Sequence, residues 1–294
     1  MMGSLRVTTI NVRGLNSDPG KLRRLAGALP IIFGDVIVVT ETKLAAADSD
    51  PQPFIHTTHP PAKTFSTLHN NYRISYSTGA SSSSGGCAVM LVKEATFGSE
   101  QQCLNGVAVR ASLRGLGFCI IAIYVNPTVP EFCNNVATMD FFYRELESAR
   151  ADGLQVFLAG DFNCVTSAQD RNSLQCDEPP ELVVLRGDLL DAWSAAVKTE
   201  INGQPFPGDH VGATYQRGAS WSRIDRIYSN AAPKLTTVVC VPLMPSLDHR
   251  AVVADYATPR TKPQKTRFIP ASLASNKAFR EKVAEAAKRA DTNH

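Results

Sequence analysis

No stretch of this sequence is built to span a membrane. No apolar run approaches the ~20 residues a helix needs to cross a bilayer. Met1–Leu15 is polar and lacks the apolar segment of a secretory leader. No Cys-x-x-Cys pair occurs, and the seven cysteines are odd in number and scattered. That pattern argues against a zinc site or a disulfide framework and for reduced thiols in an intracellular protein. Nor is the body of the chain basic. The net charge of +3 conceals an asymmetry: residues 258–294 hold nine Lys/Arg and three Asp/Glu, a net +6, which leaves 21 basic against 24 acidic elsewhere. An electrostatic footprint for nucleic acid therefore has to be local or lie on the tail. What is present is the composition of a soluble globular protein, 44% apolar and 19% charged, in 294 residues. That length suits one large domain or two small ones.

Hydrophobic patterning predicts strands at Leu5–Asn11, Asp35–Thr40, Tyr72–Tyr76, Cys87–Val92, Val107–Leu113, Gly117–Tyr124, Gln155–Ala159, Ala213–Gln216, Arg223–Ser229, Thr236–Val241 and Ala251–Asp255. Helices are expected over Gly20–Leu29, Val136–Arg150 and Glu181–Leu190. In the second of these Val136, Met139, Phe142/Tyr143, Leu146 and Ala149 form one apolar stripe. Ala45–Pro61, the Ser/Gly run Ser77–Gly86 and Gly203–Gly212 read as loops, with His56, His59 and His69 as surface-loop residues. Helix, then strand, after a strand-rich start points to mixed sheets.

Polar residues collect at the strand ends. Asn11 closes the first strand, Glu41 follows the second, and Tyr124 closes the most apolar one. Gly160-Asp161-Phe162-Asn163 follows a buried strand, with Gly160 as the turn. Alone this motif also fits a turn in which Asp and Asn bond their own backbone. Arg223-Ile224-Asp225-Arg226-Ile227 puts Asp225 and Arg223 on one strand face, where a buried Asp needs a partner. Ser246-Leu247-Asp248-His249 leads into the last strand.

These six motifs, in this order over residues 5–257, resemble the endonuclease/exonuclease/phosphatase family, which includes DNase I and the apurinic endonucleases. The resemblance implies an α/β fold, a four-layer α-β-β-α sandwich of two mostly antiparallel sheets with the catalytic groups at one edge. It implies phosphodiester hydrolysis. Glu41, with Asn11 and Asp248, would offer hard oxygen ligands to Mg²⁺, or alternatively Mn²⁺. Asp161 would orient and deprotonate water, and Asn163 and Tyr124 would donate to phosphate oxygens. His249 would bind or protonate phosphate while Asp225 holds its tautomer. Asn126, Thr214, Arg217 and Trp221 are the implied substrate contacts. Two departures stand out. Arg13 occupies a position where many apurinic endonucleases carry a second acid, and Tyr124-Val125-Asn126-Pro127 differs from the common Tyr-x-Pro-Asn order.

Within the family the chain looks most like the endonuclease domain of a non-LTR (LINE-type) retrotransposon. The opening Thr8-Thr9-Ile10-Asn11-Val12-Arg13-Gly14-Leu15-Asn16 is similar, and Tyr215–Arg223 corresponds to a hairpin that approaches the DNA groove in those enzymes. Cross-strand packing is the alternative role for Trp221. Residues 1–257 are then the nuclease domain. Residues 258–294 are a basic linker, with Arg260, Lys262, Lys265 and Arg267, and a helix over Asn276–Ala290 that begins a downstream polyprotein region. This reading expects double-stranded DNA as substrate, a reverse transcriptase downstream in the same polyprotein, action in the nucleus and no membrane partner. The rivals are an apurinic/apyrimidinic repair endonuclease, a phosphatase or phospholipid phosphodiesterase of the same fold, and an inactive nucleic-acid-binding module.

Overall fold

The computed structural model describes residues 4–15, 34–43, 72–77, 85–125, 136–198, 212–230, 234–242 and 247–258. The first sheet contains β1 (Ser4–Asn11), β2 (Val36–Thr40), β3 (Tyr72–Ser77), β4 (Cys87–Val92), β13 (Leu235–Pro242) and β14 (Arg250–Ala257). The second contains β5 (Thr96–Cys103), β6 (Gly106–Leu113), β7 (Leu116–Tyr124), β8 (Gln155–Asp161), β9 (Leu190–Asp191) and β12 (Asp225–Ser229). A separate hairpin pairs β10 (Tyr215–Arg217) with β11 (Ser220–Ser222). The helices are α1 (Val136–Ala151), α2 (Pro180–Arg186) and α3 (Ala192–Lys198).

The strand orders are β13-β14-β1-β2-β4-β3 and β5-β6-β7-β8-β12-β9. Each sheet has one parallel pair at its centre, β1 with β2 and β7 with β8. All other neighbours are antiparallel. The expected sandwich of two mostly antiparallel sheets is the fold observed. The central strands pack face to face, β1 on β8 and β12, β2 on β7 and β8.

Strand alternation explains which side chains meet. In β7, Phe118, Ile120, Ala122 and Tyr124 join the core between the sheets, whereas Cys119, Ile121 and Ile123 face outward. In β8, Phe157 and Ala159 point inward, Val156 and Leu158 outward. The inward parity therefore carries Tyr124 and Asp161 toward the first sheet, and Ile227 sets the same parity for Asp225 in β12. The outer face is covered by the α1 stripe of Met139, Phe142, Leu146 and Ala149, joined by Phe141. Each such buried Phe or Leu contributes about 1.5–3 kcal/mol. Tyr143 ties α1 to α2 through the Glu181 carbonyl at 3.2 Å.

Several expectations need correction. Gly160 is not a turn residue: β8 runs on to Asp161, and Gly160 pairs with Ile123 in parallel register. Its φ is 152°, and a Cβ there would lie 1.9 Å from the Ile123 carbonyl oxygen. Glycine is what lets β7 and β8 approach closely enough to deliver Asp161. Gly160→Ala should cost roughly 3 kcal/mol through overpacking and backbone strain, read as a lower urea midpoint at unchanged slope.

The edge strand β5 was not expected, because Thr96–Cys103 is polar and partly exposed and carries no apolar alternation. The helix expected over residues 181–190 stops at Arg186, since Gly187 takes φ 51° and returns its N–H to the Val183 carbonyl. Arg223 and Ile224 precede β12 instead of belonging to it, so Arg223 does not share the face of Asp225. The second hairpin strand is Ser220–Ser222, and Gly218-Ala219 alone forms the tip. The expected helix Gly20–Leu29, the loop with His56, His59 and His69, the loop 203–211 and the tail from Pro259 onward lie outside the described residues.

Candidate active site

The carboxyl ends of both central parallel pairs meet. Asn11 closes β1 opposite Thr40 of β2, and Tyr124 closes β7 opposite Asp161 of β8. Asp161 is flanked on its other side by Asp225, the first residue of β12. The first sheet then sends two side chains across to the second, Asn11 from β1 and His249 from just before β14. Asn11 Nδ2 donates to Asp161 Oδ2 at 2.6 Å, and His249 Nδ1 lies 2.8 Å from Asp225 Oδ2. All four residues are buried.

Asp161 is held from two directions. Its Oδ1 accepts the Asn163 backbone N–H at 2.8 Å, an Asx turn that places Asn163 at φ 48°. Asn163 Nδ2 donates to the Val125 carbonyl at 2.5 Å. Burial raises Asp161 from 3.8 to about 7; the Asp225 charge adds to the rise, while His249 and the bonds from Asn11 and Asn163 oppose it. For His249, burial pulls the value down. The charge and hydrogen bond of Asp225, then the charges of Asp161 and Asp248, outweigh it and hold His249 at about 9. Tyr124 is raised by burial and then by the charges of Glu41 and Asp161. The site thus holds a carboxylate poised near neutrality beside an imidazolium that stays charged there, the pairing general acid–base chemistry needs.

Glu41 follows β2 at φ 53° and pairs with Lys43 Nζ at 2.9 Å. Asp248 pairs with Arg13 Nη1 at 2.7 Å, and the Arg13 backbone N–H donates to Asn11 Oδ1 at 2.8 Å. Non-glycine residues at positive φ are uncommon, yet Arg13, Glu41, Lys43 and Asn163 all adopt it here. Such backbone clusters where surrounding structure fixes a functional geometry.

The profile of the Endonuclease/Exonuclease/phosphatase family matches residues 8–249. The chain belongs to that family. Among curated protein sequences none matches. Solved structures with similar folds include the AP endonuclease LMAP from Leishmania major, with a TM-score of 0.63 at 15% identity over 87% of this chain and 88% of that one. The 3′ phosphatase NExo from Neisseria, bound to a product DNA hairpin, gives 0.57 at 19% identity over 86% and 100%. The endonuclease domain of TRAS1, a telomere-specific non-LTR retrotransposon, gives 0.54 at 13% identity over 87% and 99%. At these identities the likeness is one of fold.

Membership in the endonuclease/exonuclease/phosphatase family supports phosphoester hydrolysis as the chemistry of the chain. Of the expected contacts, Thr214 is fully buried beneath Asp225. Its hydroxyl accepts the backbone N–H groups of Ile224 and Asp225, each at 3.0 Å, and its carbonyl accepts that of Arg250 at 2.7 Å. Arg217 is exposed at the end of β10, and Trp221, half-buried, stands opposite Gln216 in the hairpin. The hairpin rises from the site itself: Gln216 donates its N–H to the Asp248 carbonyl at 2.8 Å, and the Tyr215 ring centroid lies 5.0 Å from that of His249. Asn126 lies outside the described residues.

A divalent cation fits this chemistry. Two buried carboxylate oxygens, Asp225 Oδ1 and Asp248 Oδ1, have no hydrogen-bond partner among the described residues, and a buried carboxylate oxygen left so is costly. Among the described residues, Asp161, Asp225 and His249 bring ligand atoms within 4.8 Å of one another. The trio implied by the resemblance differs, and each member is engaged: Glu41 with Lys43, Asp248 with Arg13, Asn11 with Asp161.

Sequence reasoning missed a second buried charge cluster. Arg223 and Arg226, both almost fully buried, bind the same two carboxylates, Asp170 and Asp191. Arg226 points outward by strand parity, so this cluster backs the strand whose inner face presents Asp225. Its acids lie 32–56 residues away along the chain, and no local pattern signals them.

Proposed function

We propose that this chain is a divalent-metal-dependent endonuclease that nicks double-stranded DNA, the endonuclease segment of a non-LTR retrotransposon polyprotein. The observation that carries the hydrolytic reading is the pair of hydrogen bonds between sheets that sets Asp161 and His249 side by side. Asp161 takes a proton from the attacking water. His249, kept charged by Asp225, binds the phosphate and supplies a proton to the leaving oxygen. Tyr124 and Asn163 donate to non-bridging oxygens. When bound, Mg²⁺ or Mn²⁺ supplies Lewis acidity toward the phosphoryl oxygens, and Glu41, Asp248 and the Asn11 carbonyl are the residues that would hold it. Support for DNA, for a reverse transcriptase downstream and for action in the nucleus comes from the opening motif, the exposed hairpin beside His249, the basic tail and the fold shared with the TRAS1 endonuclease domain.

The test is nicking of supercoiled plasmid in Mg²⁺ and in EDTA, followed by a panel of duplexes with and without abasic sites. Nicking of intact plasmid that EDTA abolishes is the expected result, and Glu41→Ala should abolish it with the fold retained. Undiminished nicking by folded Glu41→Ala would remove Glu41 from the metal site. Cleavage confined to abasic duplexes would assign the chain to repair.

The two titrating groups also set the pH range. Asp161 must be ionised and His249 charged, so kcat/KM should rise through about pH 7 and fall through about pH 9. His249→Gln should remove the alkaline limb and, since the His249 charge lowers Asp161, move the acidic one to higher pH. A flat profile across this range would disprove the assignment.

A further inference from the structure

We propose that Asn105 is a positioning residue that fixes Glu41 relative to Tyr124 across the two sheets. The proposal rests on the reading above, that these two side chains serve one phosphate. Asn105 sits in the turn between β5 and β6, buried, at φ 60°. Its two oxygens reach in different directions. Oδ1 accepts the Gly86 N–H at 2.9 Å, just before β4 of the first sheet. The backbone carbonyl accepts the Tyr124 N–H at 3.1 Å in the second sheet, and the Cys87 thiol at 3.1 Å.

Beyond Gly86 the connections run straight to the site. The Gly86 carbonyl accepts the Thr42 N–H at 3.2 Å, and the Gly85 carbonyl accepts the Lys43 N–H at 2.9 Å. Lys43 Nζ in turn holds the Glu41 carboxylate at 2.9 Å. Apolar packing between the sheets is non-directional and sets their separation better than their sliding register. Directional bonds from one residue to both sheets fix that register where Glu41 and Tyr124 must converge. Glu41 and Lys43 also hold positive φ, which persists only when neighbours over-determine it. Gly85 and Gly86 hold the Lys43 and Thr42 N–H groups from one side, Gly14 and Leu15 donate to the Glu41 and Thr42 carbonyls from the other, and Asn105 anchors Gly86.

A plain turn role is separable from this one. The two-residue turn Leu104-Asn105 puts Asn105 at φ 60°, a conformation glycine adopts readily, so glycine at 105 would serve the turn equally well. Asn105→Gly therefore keeps the backbone and removes the side chain with its Oδ1, whereas Asn105→Asp keeps an acceptor oxygen. In the full chain, Mn²⁺ binding is followed by the electron paramagnetic resonance of the free ion, and plasmid nicking is titrated with Mg²⁺. Asn105→Gly should weaken Mn²⁺ binding and raise the half-saturating Mg²⁺ by about tenfold, the scale of outer-sphere partners of metal ligands. Asn105→Asp should stay close to the parent. Parent-like Mn²⁺ binding and Mg²⁺ dependence in Asn105→Gly, with or without a lower melting temperature, would overturn the proposal. So would equal impairment of Asn105→Asp. If Asn105→Gly does not fold, Asn105→Ser, whose shorter oxygen cannot reach Gly86, is read by the same criteria. A parent that nicks no plasmid defeats the functional reading alone, because the Mn²⁺ measurement still decides the role of Asn105.

Discussion

Asp161→Asn is expected to lose nicking by about 10²–10⁴-fold, the scale of a general base, while melting no lower than the parent at pH 8 in EDTA. The two halves of this result come from one fact. Asp161 is buried beside Asp225, and its carboxyl rises from 3.8 to about 7 on folding. A carboxyl with a raised folded value binds its proton more tightly in the native state. Its stabilisation is complete below pH 3.8 and is lost as pH climbs through about 7. His249 adds a second loss of the same sign, from 6.5 through about 9. The parent, free of metal, should therefore soften steadily between pH 4 and pH 9. Asp161→Asn should lack the acidic part of that slope. The substituted amide gives up one acceptor, because Asp161 takes hydrogen bonds on both oxygens, from Asn11 and from the Asn163 backbone. Relief of the buried charge offsets that loss. Circular-dichroism melting across pH beside plasmid nicking checks both parts. Retained nicking, or an unchanged pH slope of stability, would show that Asp161 is not the ionised base.

Much of this site was legible because strand-end residues announce themselves. A polar residue closing an apolar run has few structural reasons to be there, and Asn11, Tyr124 and Asp161 all stand at such ends. Alternation then fixes which face each takes, and a period of two allows no ambiguity once the core residues are known. What could not be read was pairing over distance. Nothing around Arg226 in the sequence names its partners, because Asp170 and Asp191 come from a 3-10 turn and from a two-residue strand. Gly160 was misread for a related reason. Glycine after an apolar run usually marks a turn, and only the neighbouring carbonyl of Ile123 reveals that it is there for close approach. The hairpin strands were placed too widely because Arg223 and Ile224 are β-prone, yet the backbone N–H of Ile224 is taken by the Thr214 hydroxyl and that of Arg223 by the Asp170 carbonyl.

The pairing of Asp225 with His249 makes the remaining large prediction. Asp225→Asn should lower nicking by about 10²–10⁴-fold, and His249→Ala should do much the same. The double variant should be scarcely worse than either alone, since residues acting as one unit are non-additive. Asp225 is rigidly placed: the Thr214 hydroxyl takes its backbone N–H, and Oδ2 faces Nδ1 of the imidazole. An amide there removes the charge that keeps His249 protonated, so the imidazole becomes neutral within the working range. Deleting the ring afterwards takes away a group already disabled. The same substitution carries a second signature. The Asp225 charge raises both Asp161 and His249, so its removal should move both limbs of the pH profile toward acid. A simple loss of packing would lower activity without moving either limb. Additive losses in the cycle, or limbs that stay in place in Asp225→Asn, would show that Asp225 acts on neither group and that the short contact with His249 is structural.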